Sequence, residues 1–207
     1  MQTIGIIGAG KLGITLAQLA VRAGYQVLIS GSGDPGKIRL AVDVLAPGAV
    51  SARSQEVAES ADIIILALPL GKFHQLPPQY FADKLVIDAM NYWWEVDGPR
   101  SNILPDDQSS SEYVQTLLPT ARVIKALSHM GYHDLYDEAR GKDQPGRKAI
   151  ALAGDNTADI AAASELIDSL GFDPLPIGPL AAGRKLEPGG PAFGVDENIQ
   201  SLRQLLG

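Results

Sequence analysis

The run Gly8-Ala9-Gly10-Lys11-Leu12-Gly13 constrains this chain more than any other stretch. A G-x-G-x-x-G pattern is weak in isolation, but here its context is specific. It follows an apolar strand-like segment, Thr3–Ile7, and opens a helical segment, Lys11–Ala23, with Leu12, Leu16, Leu19 and Ala23 on one stripe. Gly24 stands at the expected helix end, and a second strand, Gln26–Ser30, comes next. Strand, glycine turn, helix and strand in this order are what a dinucleotide-binding turn requires. Gly8 allows the tight turn, Gly10 leaves room for a pyrophosphate, and Gly13 lets the helix approach the strand. The helix N-terminus then presents free N–H groups and a partial positive charge to the phosphates. The alternative is a glycine-rich turn that holds nothing.

The rest of the chain repeats the strand–helix alternation. A helix is expected over Gly36–Leu45, a short strand near Val50, and a helix over Gln55–Ser60. The run Asp62–Leu68 is apolar on both faces, as a central parallel strand covered by helices must be. Leu85–Ala89, Arg122–Ala126 and Lys148–Ala153 read as further strands. Asn156–Leu170 reads as a helix capped by Asn156 or Asp155 and stopped by Gly171. Residues 91–111 show little periodicity and read as a long functional loop. A Pro/Gly-rich tail runs from Pro174 to Gly194, and a short amphipathic helix over Asp196–Leu206 closes the chain. The fold class expected is therefore α/β: a Rossmann-type doubly wound parallel sheet with a small C-terminal α+β lobe. The domains are expected at residues 1–126, the dinucleotide-binding part, and 127–207, a substrate and dimerisation lobe.

Composition narrows the function classes. With 24 acidic against 17 basic residues, the net charge of −7 opposes nucleic acid and anionic membrane surfaces as partners. Zero cysteines exclude thiolate nucleophiles, disulfides and Cys-ligated metal. There is no leader-like opening and no apolar run approaching about 20 residues, which sets the expectation of a soluble cytoplasmic protein. His129 and His133 are four apart, but no H-E-x-x-H glutamate accompanies them, so no metal is expected.

The end of the second strand bears on which dinucleotide binds. An NAD site usually places an acid there to hold the ribose 2′-OH. This chain has Ser30-Gly31-Ser32-Gly33 instead, with Lys37 and Arg39 nearby and Asp34 as the opposing charge. Hydroxyls, backbone N–H groups and cations favour a 2′-phosphate, hence NADP.

Taken together, these residues resemble the F-420-dependent NADP oxidoreductases, whose relatives include the reductase domains of STEAP-type metalloreductases. The resemblance is carried by Gly8–Gly13, the Ser-bearing loop Ser30–Pro35, Ala61–Pro69, Val123-Ile124-Lys125-Ala126-Leu127 and Gly178-Pro179-Leu180-Ala181-Ala182-Gly183-Arg184. It implies hydride transfer between NADP(H) and a flat acceptor, with coenzyme F-420 as second substrate, and a homodimer. The family's second-strand loop usually carries an arginine where this chain has Gly33, so Lys37 or Arg39 would have to anchor the 2′-phosphate. After Lys125-Ala126 the chain reads Leu127-Ser128-His129 where the family often has Phe-Asn-Thr or Leu-His-Thr.

Ligands of open α/β sheets bind at the C-terminal strand ends, so the site is sought there. The cofactor-binding candidates are Gly8, Ala9, Gly10, Lys11, Leu12 and Gly13, then Ser30, Gly31, Ser32 and Lys37, then Ala67, Leu68, Pro69 and Met90. The catalytic candidates are Asn91, Ser128 and His129: Asn91 to hold a carboxamide or merely cap a loop, His129 to relay a proton or serve the structure. Tyr92-Trp93-Trp94 would stack on a flat ring or pack the loop, and Arg184 and Lys185 would meet an acidic group of the acceptor or an ordinary salt-bridge partner. Asp106-Asp107 reads as solvated surface. The alternatives are another acceptor (a flavin, a quinone or a ferric chelate) or a non-catalytic NADP(H) sensor.

Overall fold

The computed structural model describes residues 2–207. Six strands form a parallel sheet: β1 (Thr3–Ile7), β2 (Gln26–Ser30), β3 (Ala49–Ser51), β4 (Ile63–Leu66), β5 (Leu85–Asp88) and β6 (Arg122–Lys125). Their order, β3-β2-β1-β4-β5-β6, is the doubly wound Rossmann arrangement, with the switch point between β1 and β4. The register sets Ile4 beside Val27 and Ile63, so that the strand ends Ile7, Ser30 and Leu66 lie level at one edge.

Period-two burial on both faces is what makes these strands apolar throughout. Ile4, Ile6, Ile63, Ile65 and Ile87 pack under α1 (Lys11–Arg22) and α8 (Thr157–Leu170). Ile7, Ile64, Leu66, Val86 and Val123 face the opposite layer, which includes α3 (Ser54–Ser60) and α6 (Ser110–Leu117). The helix α2 (Gly36–Leu45) links β2 to β3 and buries only Val42, leaving Leu40, Val44 and Leu45 exposed.

The C-terminal part is a second parallel pair, β7 (Ala149–Leu152) with β8 (Asp173–Pro176), joined by α8. Asn156 caps α8 through its side chain and Gly171 ends it at φ 109°, as expected from the sequence. An antiparallel bridge between Lys125 and Ala153 fastens this pair to β6. Ile150, Leu152, Leu166, Ile167 and Phe172 join the core cluster that contains Ile4 and Ile6. Arg147, 8% exposed, ties the two halves of the α8 hairpin by donating to Asp168 and Asp173.

Three stretches differ from expectation. Residues 91–111 are not a bare loop: they hold a one-turn helix α5 (Trp94–Asp97), a 3₁₀ turn at Arg100–Asn102 and the start of α6. Ser109 caps α6, accepting from Glu112 N–H while the Glu112 carboxylate accepts from Ser109 N–H. That capping box is legible as Ser-x-x-Glu, but the three serines obscured it. Pro174 and Pro176 belong to β8, an edge strand that tolerates missing donors. Leu180–Leu186 forms a 3₁₀ helix, and the last helix, α9 (Ile199–Leu206), begins only at Ile199, capped by Asn198.

Candidate functional site

The glycine turn is built as its residue types require. Gly8 has φ 122°, and a Cβ there would lie 2.1 Å from the Ala67 carbonyl oxygen, so the turn is wedged against the end of β4. A Cβ on Gly13 would lie 1.8 Å from the Gly8 carbonyl oxygen, which fixes how closely α1 approaches β1. Gly10, the N-cap of α1, faces open space: a Cβ there would meet nothing within 4 Å. No side chain caps α1 and no acid occupies its first turn. Its leading N–H groups are thus free for an anion.

Two cavities flank this turn and share Gly10, Ala67, Leu68 and Pro69 as their common wall. The first, of about 440 Å³, lies between the β2 loop (Gly31, Ser32, Gly33) and α4 (Leu70–Phe73) with Lys72, Gln75 and Leu76. The second, of about 460 Å³, runs over the ends of β5 and β6 and is lined by Lys11, Leu12, Met90, Asn91, Ser128 and His129, among others. Together they make one crevice across the C-terminal sheet edge, with the phosphate-type turn at its middle.

The second cavity has a polar floor. Asn91 Nδ2 donates to the Ser128 carbonyl at 2.7 Å, which joins the ends of β5 and β6. Asn91 Oδ1 and Ser128 Oγ are buried without a hydrogen-bond partner. Unsatisfied buried polar atoms are rare, and both of these belong to residues that line this cavity. Leu127, immediately before Ser128, holds φ 60°, a conformation unfavourable for a branched side chain and concentrated at functional sites. The cavity mouth is apolar: Trp93 meets Phe193 edge-on, centroids 5.6 Å apart, and Val96 and Met130 complete the rim.

His129 is 1% exposed, and its Nε2 accepts the Ala151 N–H at 3.0 Å. An accepting Nε2 carries no proton, so the neutral ring holds its proton on Nδ1. Burial lowers its pKa from 6.5 to about 4, with the Val195 backbone partly offsetting the effect. Its geometry fastens β7 to the β6 loop. Beneath the floor, Lys125 Nζ and Asp88 lie at 0% exposure, with Lys125 donating to the Met90 carbonyl and Asp88 Oδ1 accepting the Met90 N–H. Residue composition alone does not reveal this pair; the lysine reads as an interruption in an apolar strand.

Most sequence-selected residues therefore converge on the crevice, but several depart. Ser30 is fully buried and its hydroxyl meets Ser54 Oγ at 3.0 Å, so Ser54, not Ser30, reaches the first cavity. Lys37 and Arg39 stand on the exposed face of α2 outside both cavities, and Arg39 pairs with Asp43. Trp94 is 62% exposed and turned to solvent, and the Tyr92 hydroxyl donates to the Gly98 carbonyl. Arg184 and Lys185 border a separate groove, with Lys185 donating to the Leu206 carbonyl. Lys72, Ser54 and Phe193 are lining residues that the motifs did not indicate. Lys72 follows Pro69 by three residues, near enough to the β4 end to have been considered. Among the described residues no group of three or more His, Asp or Glu could hold a metal ion, and no helix is long and apolar enough to cross a membrane.

A Rossmann sheet carrying a glycine turn, an uncapped helix start and a two-part crevice defines a dinucleotide-binding protein. Residues 3–92 match the family described as NADP oxidoreductase, coenzyme F420-dependent. The chain is 28% identical to metalloreductase STEAP3 of Rattus norvegicus over 89% of its own length, and that match spans 35% of the relative. A hypothetical protein from Sinorhizobium meliloti shares the fold at TM-score 0.81 and 28% identity, with 95% of both chains covered. A provisionally assigned F420-dependent NADP reductase from Arthrobacter superposes with TM-score 0.70 at 22% identity, covering 89% of this chain and 87% of that one.

Proposed function

We propose that this chain transfers a hydride between NADP(H) and a flat two-electron acceptor, with coenzyme F-420 the acceptor suggested by the family. The observation that carries the reading is the crevice itself, in which an open anion-receiving helix start separates an adenosine-sized cavity from a polar-floored one. The residues fit a dinucleotide: Gly10 leaves the approach of a pyrophosphate clear, and Asn91 Oδ1 and Ser128 Oγ await a carboxamide. When bound, NADPH supplies a hydride from its nicotinamide ring.

The chain's part is placement. The first-turn N–H groups of α1 would hold the pyrophosphate of a bound dinucleotide, and Asn91 and Ser128 would hydrogen-bond its carboxamide. Leu68, Pro69 and Met130 exclude water, and Trp93 and Phe193 offer an apolar lip on which a flat ring can lie. His129, neutral and held by Ala151, acts as a positioning group for the β6 loop and not as a proton relay. The proposal includes a cytoplasmic setting and a homodimer. The exposed apolar strip Leu40, Val44, Leu45 and Val50 supports a partner copy, which sedimentation would test.

An anaerobic assay with NADPH and oxidised F-420 tests the reading, with NADH run alongside. Rapid loss of deazaflavin absorbance with NADPH is expected. Cofactor binding without any bleaching would overturn the choice of acceptor and favour a second reading, reduction of a ferric chelate or flavin, which the 28% identity to a metalloreductase supports. Binding without turnover of any acceptor would indicate a sensor.

A further inference from the structure

We propose that Lys72 supplies the cation for the ribose 2′-phosphate and thereby sets the preference for NADP over NAD. The inference rests on the dinucleotide reading and assigns one determinant within it. The first cavity is a slot whose two walls are the β2 loop and α4, with Ser54 and the glycine turn at its base. A dinucleotide seated on the turn places its adenosine ribose between these walls. Gly31, Ser32 and Gly33 form the β2 wall, so that side carries no cation. Lys37 and Arg39 are exposed and neither lines the slot, and Arg39 is already paired with Asp43. Asp34 turns back to accept the Gly36 N–H, which directs its carboxylate to the start of α2.

Lys72 is the one cationic residue lining the slot among the described residues, and its ammonium makes no hydrogen bond or ion pair there. Its helix is held in place: Gly71 N–H donates to Asp97 Oδ1 at 2.8 Å, while Asp97 Oδ2 accepts the Trp93 N–H at 2.9 Å. A free ammonium on a long stem, carried by a fixed turn and facing two small polar residues, Ser32 and Ser54, suits a dianionic phosphate. An NAD ribose in the same slot would present only a hydroxyl to it.

The test is direct binding of NADPH and NADH to the full chain, followed by nucleotide fluorescence, for the native protein and for Lys72→Gln, Lys72→Arg, Lys37→Gln, Arg39→Gln and Arg53→Gln. Lys72→Gln is expected to weaken NADPH by about tenfold or more while NADH changes little, and Lys72→Arg to retain the preference. The three control variants should keep the native ratio. Because Lys72 is exposed, the unfolding midpoint of its variants should be unchanged, which separates this effect from misfolding. The inference is overturned if Lys72→Gln keeps the native ratio, if it weakens both nucleotides equally, if a control variant abolishes the preference, or if the native protein has none. A native protein that binds neither nucleotide would instead remove the dinucleotide reading, and this inference with it.

Discussion

Lys125 and Asp88 form an ion pair without solvent access: Nζ lies 3.4 Å from Oδ2 and both side chains are 0% exposed. Asp88 also accepts from the Ser111 hydroxyl, and Lys125 donates to the Met90 carbonyl, so the pair sets the strand ends that carry Met90 and Asn91. Gly183 packs directly on the lysine stem, where a Cβ would lie 3.0 Å from Lys125 Cβ and Cγ. Removing one partner strands a buried charge. Lys125→Met should therefore destabilise the fold by about 3–5 kcal/mol, and adding Asp88→Leu should restore much of that loss. Chemical denaturation of the two single variants and the double variant reads the cycle.

Two glycines of one motif should fail differently. Gly10→Val projects into open space at an extended backbone angle, so the unfolding midpoint should stay near native while nucleotide affinity collapses. Gly13→Ala places a methyl group against the Gly8 carbonyl and should cost about 3 kcal/mol of stability. Calorimetry on both proteins separates the effects; unchanged NADPH affinity in Gly10→Val would contradict the phosphate-turn assignment.

His129 makes stability depend on pH. Its folded pKa of about 4 lies below the ordinary 6.5, so the neutral form is favoured by folding. The stabilisation is present above pH 6.5 and is lost as pH falls towards 4, a total of about 3 kcal/mol. His129→Gln keeps an acceptor for the Ala151 N–H and does not titrate. Urea midpoints between pH 7 and 4 should fall in the native protein and flatten in the variant over the part due to this residue.

Arg147 should behave as a clamp. It donates to Asp168 and Asp173 at 2.7 and 2.6 Å and to the Asp168 carbonyl, and it holds the Asp168 carboxyl below its ordinary range. That contribution is present at neutral pH and lost as the medium is acidified below the usual carboxylate range. Arg147→Met should cost roughly 2–4 kcal/mol at pH 7, read as a shift in denaturation midpoint, with nucleotide affinity unaffected.

Asn91 joins the two strand ends and offers Oδ1 to the cavity. Asn91→Ala should lower kcat/KM for NADPH by about tenfold, the worth of one good hydrogen bond. A fall in stability with kcat/KM preserved would reduce the residue to a loop tie.

Local chemistry alone determined a large part of this protein. The glycine run, the apolar strand segments and the caps at Asn156 and Gly171 depend on backbone conformation and on a burial face repeated every two or about 3.6 residues. Such information is carried by neighbours in the chain, so the Rossmann sheet, its order of elements and the place of the glycine turn were legible. Contacts between distant segments were decided only by the tertiary structure. Ser30 turned inward to Ser54, Lys72 came to line the cavity beside the β2 loop, His129 found Ala151, and Phe193 met Trp93. Each depends on how a loop or crossover sets one segment against another many residues away, and no local periodicity encodes that geometry.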